Sequence, residues 1–313
     1  MPDPSRAAAP KQRANPVNAD AASHHPSVLI TGSSTGIGEA CAMEFHRLGF
    51  RVFAGVRREC DGRRLVERAS PRLVPVMLDV TDGESISQAA ARIREETGTA
   101  GLAGLVNNAG ITVAFALEFL PMDELRRQFE VNVFGALAVT QAMLPMLKAA
   151  RGRIVNVSSV SGLVAAPYVG AYAASKFALE ALSDSLRVEL RHFGIQVAVV
   201  QPADVDTPIW EKSREAADQL RDRLAEVTSD DVAEAARAAY AGDVAAMRAA
   251  TAKNAAHAMP VGRVVRAVVH AMTARRPKTR YPVGARTWGV TLGLRLLPDR
   301  LRDRIVRNSL GLK

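Results

Sequence analysis

The sequence predicts an α/β protein built on a single doubly wound parallel sheet of about seven strands. From Ser27 onward, short apolar runs alternate with longer amphipathic patterns of helical period. The short runs are apolar throughout, which is typical of strands that helices cover on both faces. No internal repeat or linker interrupts this alternation before Thr207, which indicates one domain with right-handed crossovers.

Each element follows from this alternation. The apolar runs predict strands at residues 28–30, 51–54, 73–78, 105–106, 153–157, 196–200 and 280–283. The amphipathic stretches between them predict helices at residues 37–48, near Leu65, and at 85–96, 124–147, 173–192 and 261–272.

Three further segments differ in composition from the sheet region. Residues 1–26 are rich in Ala, Pro and Asn and have no apolar run, which predicts a disordered leader before the domain at 27–284. Residues 211–256 are Ala- and charge-rich, helical, and long for an inter-strand connection. We therefore expect a helical lid at about 208–257. Residues 285–313 form a C-terminal extension.

The charge of the chain is concentrated at its end. The net charge is +9, and residues 275–313 hold 11 Lys or Arg against two Asp, which accounts for the whole excess. Leucines at helical spacing accompany these charges and predict a basic amphipathic tail. Such a tail is suited to an anionic membrane surface, to the protein's own body or to a second subunit. The balanced remainder, which has no binding motif, argues against a nucleic-acid partner.

Cysteine usage points to a reducing, cytoplasmic setting. Cys41 and Cys60 are too few for a disulfide framework and lie in no metal-ligand spacing, so we expect no metal site. The sequence contains no run of about 18 consecutive apolar residues, so we expect no membrane-spanning helix.

A glycine-rich turn joins the first strand to the first helix. Glycines there allow close backbone approach to a pyrophosphate, whose charge the helix N-terminus favours. The spacing is Gly-x3-Gly-x-Gly, and the alternative is a simple strand–helix turn. The predicted nucleotide-binding residues are Gly32, Ser33, Ser34, Thr35, Gly36, Ile37 and Gly38.

The end of the second strand selects the nucleotide. NAD sites usually place an acid there to hold the ribose 2′-hydroxyl, whereas this chain has Arg57 and Arg58 and no acid. Two arginines suit a 2′-phosphate and predict NADP(H), although a solvated surface pair is the alternative.

Polar and small residues also end the third and fourth strands. Asp79 and Val80 follow the third strand, where Asp79 is suited to cap a turn or contact the adenine. Asn108, Ala109 and Gly110 follow the fourth, where asparagine can tie neighbouring loops and glycine leaves room for a cofactor.

Tyr172 and Lys176 are candidates for the chemistry. Four residues apart on a helix, they share one face, where the ammonium is expected to lower the tyrosine pKa. Tyrosine can then exchange a proton with an alcohol or ketone while hydride moves on a nicotinamide. Without context, a surface helix pair is the alternative.

Serine and asparagine residues supply that context. Ser159, at the end of the fifth strand, is suited to polarise a substrate oxygen, and Ser158 to cap the turn. Asn132, inside a predicted helix, is either a buried polar anchor or a kink that holds a water.

These motifs, in this order, resemble the short-chain dehydrogenase/reductase family over about residues 27–207. The resemblance implies a Rossmann-type sheet, Tyr172 as acid/base, Lys176 as ribose ligand and pKa modifier, and Asn132 as anchor of a water relay. It also implies Ser159 as the substrate-oxygen ligand, because family serines usually lie 13 residues before the tyrosine.

The loop after the sixth strand both matches the family and departs from it. Pro202, Val205 and Thr207 match the family's nicotinamide-contacting loop. The family's Pro-Gly is Pro202-Ala203 here, and alanine disfavours the positive φ that glycine permits.

Within the family, the chain looks most like branches that act on retinoids, steroids or other lipophilic alcohols and carbonyls. Ala116, Leu163, Val164, Tyr168 and Trp210 are predicted to line an apolar pocket. We also expect a homo-oligomer. The rival functions are a 3-oxoacyl-thioester or polyketide-type ketoreductase and a catalytically silent nucleotide-sensing protein.

Overall fold

The computed structural model describes residues 25–227 and 230–312, and it confirms the predicted fold class. Seven parallel strands form one sheet. The strands are β1 (Ser27–Ile30), β2 (Arg51–Val56), β3 (Leu73–Met77), β4 (Gly104–Asn107), β5 (Arg153–Val157), β6 (Gln196–Pro202) and β7 (Arg280–Val283). All but the last two residues of the predicted leader lie outside the described residues.

Strand order places the switch of direction beside β1. The order across the sheet is β3-β2-β1-β4-β5-β6-β7, so the chain winds outward first to one side of β1 and then to the other. In such sheets ligands bind beyond the carboxyl ends of the strands, where the winding reverses. The loops after β1 and β4 are therefore adjacent at the centre of this edge.

Helices cover both faces of the sheet and extend beyond it. They are α1 (Gly36–Arg47), α2 (Glu59–Val66), α3 (Gly83–Thr97), α4 (Met122–Phe129), α5 (Gly135–Ala150), α6 (Gly170–Glu189), α7 (Ile209–Val227), α8 (Asp230–Ala256), α9 (Gly262–Thr273), α10 (Ala285–Leu296) and α11 (Asp299–Ser309). Helices α7 and α8 occupy the predicted lid segment, apart from residues 228–229, which lie outside the described residues.

The central strand shows how the two cores form. Successive side chains of a strand point to opposite faces, so Val28 and Ile30 pack with α1 and α9, whereas Leu29 packs with α3 and α5. All three side chains are fully buried. The sheet is thus sandwiched between two helical layers, and its strands read as continuous apolar runs in the sequence.

The predicted long helix at residues 124–147 contains a local irregularity. Helices α4 and α5 are continuous through a π-helical turn at Glu130–Phe134, which contains Asn132. Such turns are uncommon and frequently occur at functional sites. The whole stretch Met122–Ala150 is long and apolar enough to cross a membrane. Its contacts with α3, α6 and β4 place it in the core of the fold instead.

Candidate active site

A cleft of about 400 Å³ opens at the carboxyl ends of the strands. It brings together the loops after β1 to β6 with residues from α6, α7, α8 and the C-terminal end. All but four of the predicted site residues line it. The four that do not are Ser33, Gly38, Arg58 and Asn132.

Backbone geometry shapes the loop after β1. Gly32 has a φ of +65°, and a Cβ built there would lie 2.9 Å from Ala109 Cα. Gly36 opens α1 with a φ of +62°, and the preceding Thr35 makes no side-chain capping hydrogen bond. The first N–H groups of α1 therefore face the cleft without a cap, which is the arrangement that binds an anion.

Two predicted loop residues hold the turn and do not line the cleft. The Ser33 hydroxyl donates to the Ile30 carbonyl at 2.9 Å, and its N–H donates to the Gly55 carbonyl at 2.8 Å. A Cβ on Gly38 would overlap the Gly32 carbonyl and approach Asn108 Nδ2 to 2.5 Å. Both residues are needed for the shape of the loop.

Asn108 ties the loops after β1 and β4 together. Its Nδ2 donates to the carbonyls of Thr31 and Gly32 at 3.0 and 3.1 Å. The Thr31 hydroxyl accepts the backbone N–H groups of Asn108 and Ala109 at 3.0 and 2.9 Å. This part of the cleft is held by hydrogen bonds within the protein.

The two arginines after β2 have different surroundings. Arg57 lines the cleft near Asp79. Arg58 instead forms an ion pair with Asp61 at 2.9 Å on the first turn of α2, so the structure does not bring it to the predicted site. Sequence reasoning missed Arg64, whose guanidinium donates to the Ser34 carbonyl from one turn further along α2.

Asp79 caps a turn, as one of its two predicted roles required. Its Oδ1 accepts the N–H and the hydroxyl of Thr81 at 2.9 and 2.7 Å. Burial alone would raise its pKa, but these hydrogen bonds and the charge of Arg57 leave the pKa below its ordinary value. The carboxylate therefore stays ionised beside Arg57.

Tyr172, Lys176 and Ser159 converge in the cleft. Helix α6 presents Tyr172 and Lys176 on one face, with the lysine Nζ 5.6 Å from the tyrosine ring centre. The Lys176 ammonium donates to the Val157 carbonyl at 2.9 Å. The Ser159 hydroxyl lies beside that of Tyr172 and favours the ionised tyrosine by hydrogen bonding.

The pKa values differ from the sequence-based expectation. Burial raises the pKa of Tyr172 more than the Ser159 hydrogen bond lowers it, so the predicted lowering by Lys176 is not observed. Burial also lowers the pKa of Lys176 to about 8, against the opposing charge of Glu180. A tyrosine with a raised pKa is protonated at neutral pH and is suited to donate its proton.

The roles of the paired serines differ from prediction. The expectation that Ser158 caps the turn is wrong, because the Ser159 oxygen accepts the Ser161 N–H at 3.1 Å. Ser158 Oγ is buried without a hydrogen-bond partner in the described structure. A Cβ built on Gly162 would lie 2.8 Å from it. Ser158 Oγ is therefore covered by the short turn that follows.

Asn132 is the buried polar anchor that was one of its two predicted roles. Its Oδ1 accepts the Ile111 N–H at 2.9 Å, and its Nδ2 donates to the Ile111 carbonyl at 3.0 Å and to Ser175 Oγ at 3.1 Å. Ser175 donates in turn to the Tyr172 carbonyl at 2.7 Å. The side chain thereby connects the loop after β4 to the helix that carries the tyrosine.

The alanine in the loop after β6 introduces no strain. Among the described residues, the non-glycine positions with positive φ are Arg151 and Tyr168, so Ala203 does not need the freedom of glycine. Its N–H donates to the Val283 carbonyl at 3.0 Å. Pro202, Val205 and Thr207 all line the cleft around it.

Residues of α7 and α8 border one side of the cleft. Of the residues predicted to form an apolar pocket, Trp210 lines the cleft, whereas Ala116, Leu163, Val164 and Tyr168 do not. Tyr168 instead hydrogen-bonds Asp243 of α8. No local sequence pattern predicts this contact, because the two residues are 75 positions apart.

Comparisons with known proteins agree with this geometry. A sequence model described as short chain dehydrogenase matches residues 26–218. The chain is 38% identical over 90% of its length to the uncharacterized oxidoreductase YbbO of Escherichia coli, covering 94% of that protein. It is 31% identical to the NADPH-dependent 3-dehydrocapnine reductase of Ornithobacterium rhinotracheale, and the match covers 90% of this chain and 96% of that protein. It is 36% identical to human retinol dehydrogenase 5, and the match covers 89% of this chain and 87% of that protein.

Solved structures give the same result. A short chain dehydrogenase from Burkholderia cenocepacia in complex with NADP has a TM-score of 0.66 at 25% identity, covering 93% of this chain and 99% of that one. One from Burkholderia phymatum in complex with NAD has a TM-score of 0.69 at 24% identity, covering 92% and 96%. The chain therefore belongs to the short-chain dehydrogenase family, and its retinol dehydrogenase relatives confirm the resemblance to the retinol and steroid branch.

Proposed function

We propose that the protein is an NADP(H)-dependent oxidoreductase that interconverts a lipophilic alcohol and its ketone or aldehyde. The observation that carries this proposal is the convergence of Tyr172, Ser159 and Lys176 in the cleft that the glycine loop enters. Oxidoreductase chemistry is the activity of the family.

The residues present fit a dinucleotide. The uncapped start of α1 and the close approach of Gly32 to Ala109 suit a pyrophosphate. Arg57 suits a 2′-phosphate, because it lines the cleft and has no acid at the usual ribose position beside it. The NADPH-dependent relative supports this choice, although structural relatives hold NADP or NAD.

The mechanism follows from the protonation of the site residues. Bound NADPH would supply the hydride that reduces a carbonyl carbon. Ser159 and Tyr172 would donate hydrogen bonds to the carbonyl oxygen, and the protonated Tyr172 would transfer its proton to that oxygen. Lys176, which lines the same cleft, would hold the nucleotide ribose, the role that the family resemblance implies. The reverse sequence would oxidise an alcohol, with the phenolate form of Tyr172 accepting the hydroxyl proton.

A lipophilic substrate is supported by the lid side of the cleft. Ile209, Trp210 and Met247 line it from the lid, and Leu310 lines it from the C-terminal end. Apolar surfaces of this kind bury hydrocarbon. The retinol dehydrogenase relatives support the same substrate class.

NADPH consumption across a panel of lipophilic ketones tests the proposal. We expect turnover by the wild type and a loss of about 10²- to 10⁴-fold in kcat for Tyr172→Phe, which removes the transferable proton. Unchanged NADPH binding by the variant is the control for folding. Absence of turnover, or turnover that the variant retains, would refute the proposal.

We further propose a cytoplasmic protein whose tail contacts an anionic membrane surface. On α10 and α11, Leu292, Leu296, Leu301 and Ile305 are exposed among arginines, with Leu296 at 79%. Exposed apolar side chains beside basic ones favour such surfaces. We expect full-length protein to float with phosphatidylserine vesicles, and Leu301→Gln with Ile305→Gln to reduce this. Val66→Gln, an exposed residue of α2, is the control, and equal flotation of all three would contradict the proposal.

We also propose that the protein is a homo-oligomer. Helix α6 exposes a stripe at helical spacing, formed by Ala174, Phe177, Ala181, Ser185 and Val188, of which Val188 is 71% exposed. An exposed stripe of small and apolar side chains on an otherwise well-packed helix suits a second copy. Light scattering should show a dimer or larger assembly that Val188→Arg weakens. A monomeric wild type would rule out self-association.

A further inference from the structure

One carboxylate in the cleft has no counter-charge. Asp204, in the loop after β6, lines the same cleft as Tyr172 and Ser159 and is half-buried. Among the side chains that the structure describes, no cation pairs with it and no donor hydrogen-bonds to its carboxylate. Burial accordingly raises the pKa of Asp204.

The backbone around Asp204 is fixed independently of its side chain. The Ala203 N–H donates to the Val283 carbonyl at 3.0 Å, and the Asp204 carbonyl accepts the Met259 N–H at 2.9 Å. Val205 forms a β-bridge with Met259. The loop is therefore held between β7 and the segment after the lid, and the carboxylate is not required to maintain it.

The other charged groups of the cleft are placed elsewhere. Lys176 donates to the Val157 carbonyl, and Arg57 lies near Asp79 by β2 and β3. Lys212 is exposed on α7 and has no ion pair with Asp204 in the described structure. The charge of Asp204 nevertheless acts on Tyr172, which places it near the reacting hydroxyl.

An uncompensated, partly desolvated carboxylate costs free energy. A neutral lipophilic substrate would bury Asp204 further without offering it a partner. A substrate that carries a cation close to its reacting carbon would remove this cost and form a charge-assisted hydrogen bond.

We propose that Asp204 binds a protonated amino group on the carbon adjacent to the reacting carbinol or carbonyl carbon. The substrate is then an amphiphile with a vicinal amino alcohol or amino ketone and a hydrocarbon chain, which packs against Ile209, Trp210 and Met247. This inference rests on the proposed function and narrows its substrate class. In oxidation, the phenolate form of Tyr172 would take the hydroxyl proton and bound NADP⁺ would accept the hydride of the carbinol C–H, leaving the ketone.

Three alcohols of equal chain length test the inference, namely a 1-amino-2-alkanol, a 1,2-diol and a 2-alkanol. At neutral pH, wild type should favour the amino alcohol over the 2-alkanol by about 10- to 100-fold in kcat/KM, the effect of one hydrogen bond to a charged group. Asp204→Asn should reduce this ratio to about one, because the isosteric amide lacks the charge. Asp206→Asn, an exposed acid of the same loop, should leave the ratio unchanged.

A thermal shift provides a readout that needs no turnover. The amino alcohol should raise the Tm of wild type with NADP⁺ more than the 2-alkanol does, and Asp204→Asn should abolish the difference. If wild type turns over the 2-alkanol and shows no preference for the amino alcohol, the proposed role of Asp204 is wrong, while the oxidoreductase proposal stands. An equal preference for the diol would overturn the requirement for a cation. Failure of every alcohol to react would refute the oxidoreductase proposal, and the Tm difference would still decide whether Asp204 binds amines.

Discussion

The loops after β1 and β6 both lie at the carboxyl edge of the sheet, but their polar groups have different fates. In and beside the first loop, the Thr31 and Ser33 hydroxyls and the Asn108 amide are hydrogen-bonded within the protein. In the second, the Asp204 carboxylate has no partner in the described structure. The first loop thus offers backbone groups to a ligand, and its side chains hold its shape. The second loop offers a side chain, the Asp204 carboxylate, to a ligand.

We call the part of the cleft around the loop after β1 the nucleotide end and the part around the loop after β6 the substrate end. The difference between the two loops indicates which substitutions each end tolerates. At the nucleotide end, side-chain volume matters most, because backbone segments approach one another closely. At the substrate end, single functional groups decide the chemistry and the specificity.

After Tyr172→Phe, the largest effect is expected from the paired serines. Ser159→Ala should reduce kcat by about 10²- to 10³-fold, because it removes a donor to the reacting oxygen. Ser158→Ala is the matched control, since Ser158 Oγ is buried without a partner and is covered by the following turn. Steady-state kinetics on the same ketone compares the two. Equal losses would show that the assignment of Ser159 over Ser158 is wrong.

Arg57 tests the charge at the nucleotide end. Arg57→Gln should weaken NADPH binding by about 10- to 100-fold and leave NADH binding nearly unchanged, because only NADPH carries the 2′-phosphate. Calorimetric titration of each nucleotide measures this. Arg63→Gln on α2, an exposed residue paired with Glu59, should alter neither affinity. A parallel loss for both nucleotides would contradict recognition of the 2′-phosphate by Arg57.

Gly38 tests the volume limit of the same end. Gly38→Ala should lower the free energy of unfolding by about 1–3 kcal/mol, because its Cβ would overlap the Gly32 carbonyl and crowd Asn108. Gly83→Ala is the control, since a Cβ on this first residue of α3 meets nothing within 4 Å. Urea unfolding should show no destabilisation of that variant. Equal stabilities of the two variants would show that the loop is not tightly built.

The last prediction concerns the pH dependence that Lys176 gives to stability. Its pKa falls from 10.5 to about 8 on burial, so between these values the unfolded chain binds more protons than the folded one. Stability should therefore rise with pH in this window, by at most about 1.4 kcal/mol per pH unit. Urea unfolding of Lys176→Met should lack this rise, whereas Lys278→Met, at an exposed position, should retain it. A rise that persists without Lys176 would assign it to another group.

Local patterns predicted much of the fold and of the site. All seven strands were recognised, because buried parallel strands are continuous apolar runs. Tyr172 and Lys176 were candidates because they lie four residues apart on a predicted helix, whereas the choice of Ser159 over Ser158 came from the family resemblance. The environments of particular side chains were not predictable. The ion pair of Arg58 with Asp61, the burial that raises the Tyr172 pKa and the contact of Tyr168 with Asp243 depend on packing across the fold.

Deuterium transfer tests most directly whether this cleft joins the nucleotide end to the substrate end. Wild-type protein would be mixed with a lipophilic ketone and NADPH deuterated at the transferable C4 position, and the product analysed by mass spectrometry. We predict an alcohol with one deuterium on its carbinol carbon, and none with Tyr172→Phe under the same conditions. An alcohol without deuterium, or no alcohol at all, would contradict direct hydride transfer in this cleft.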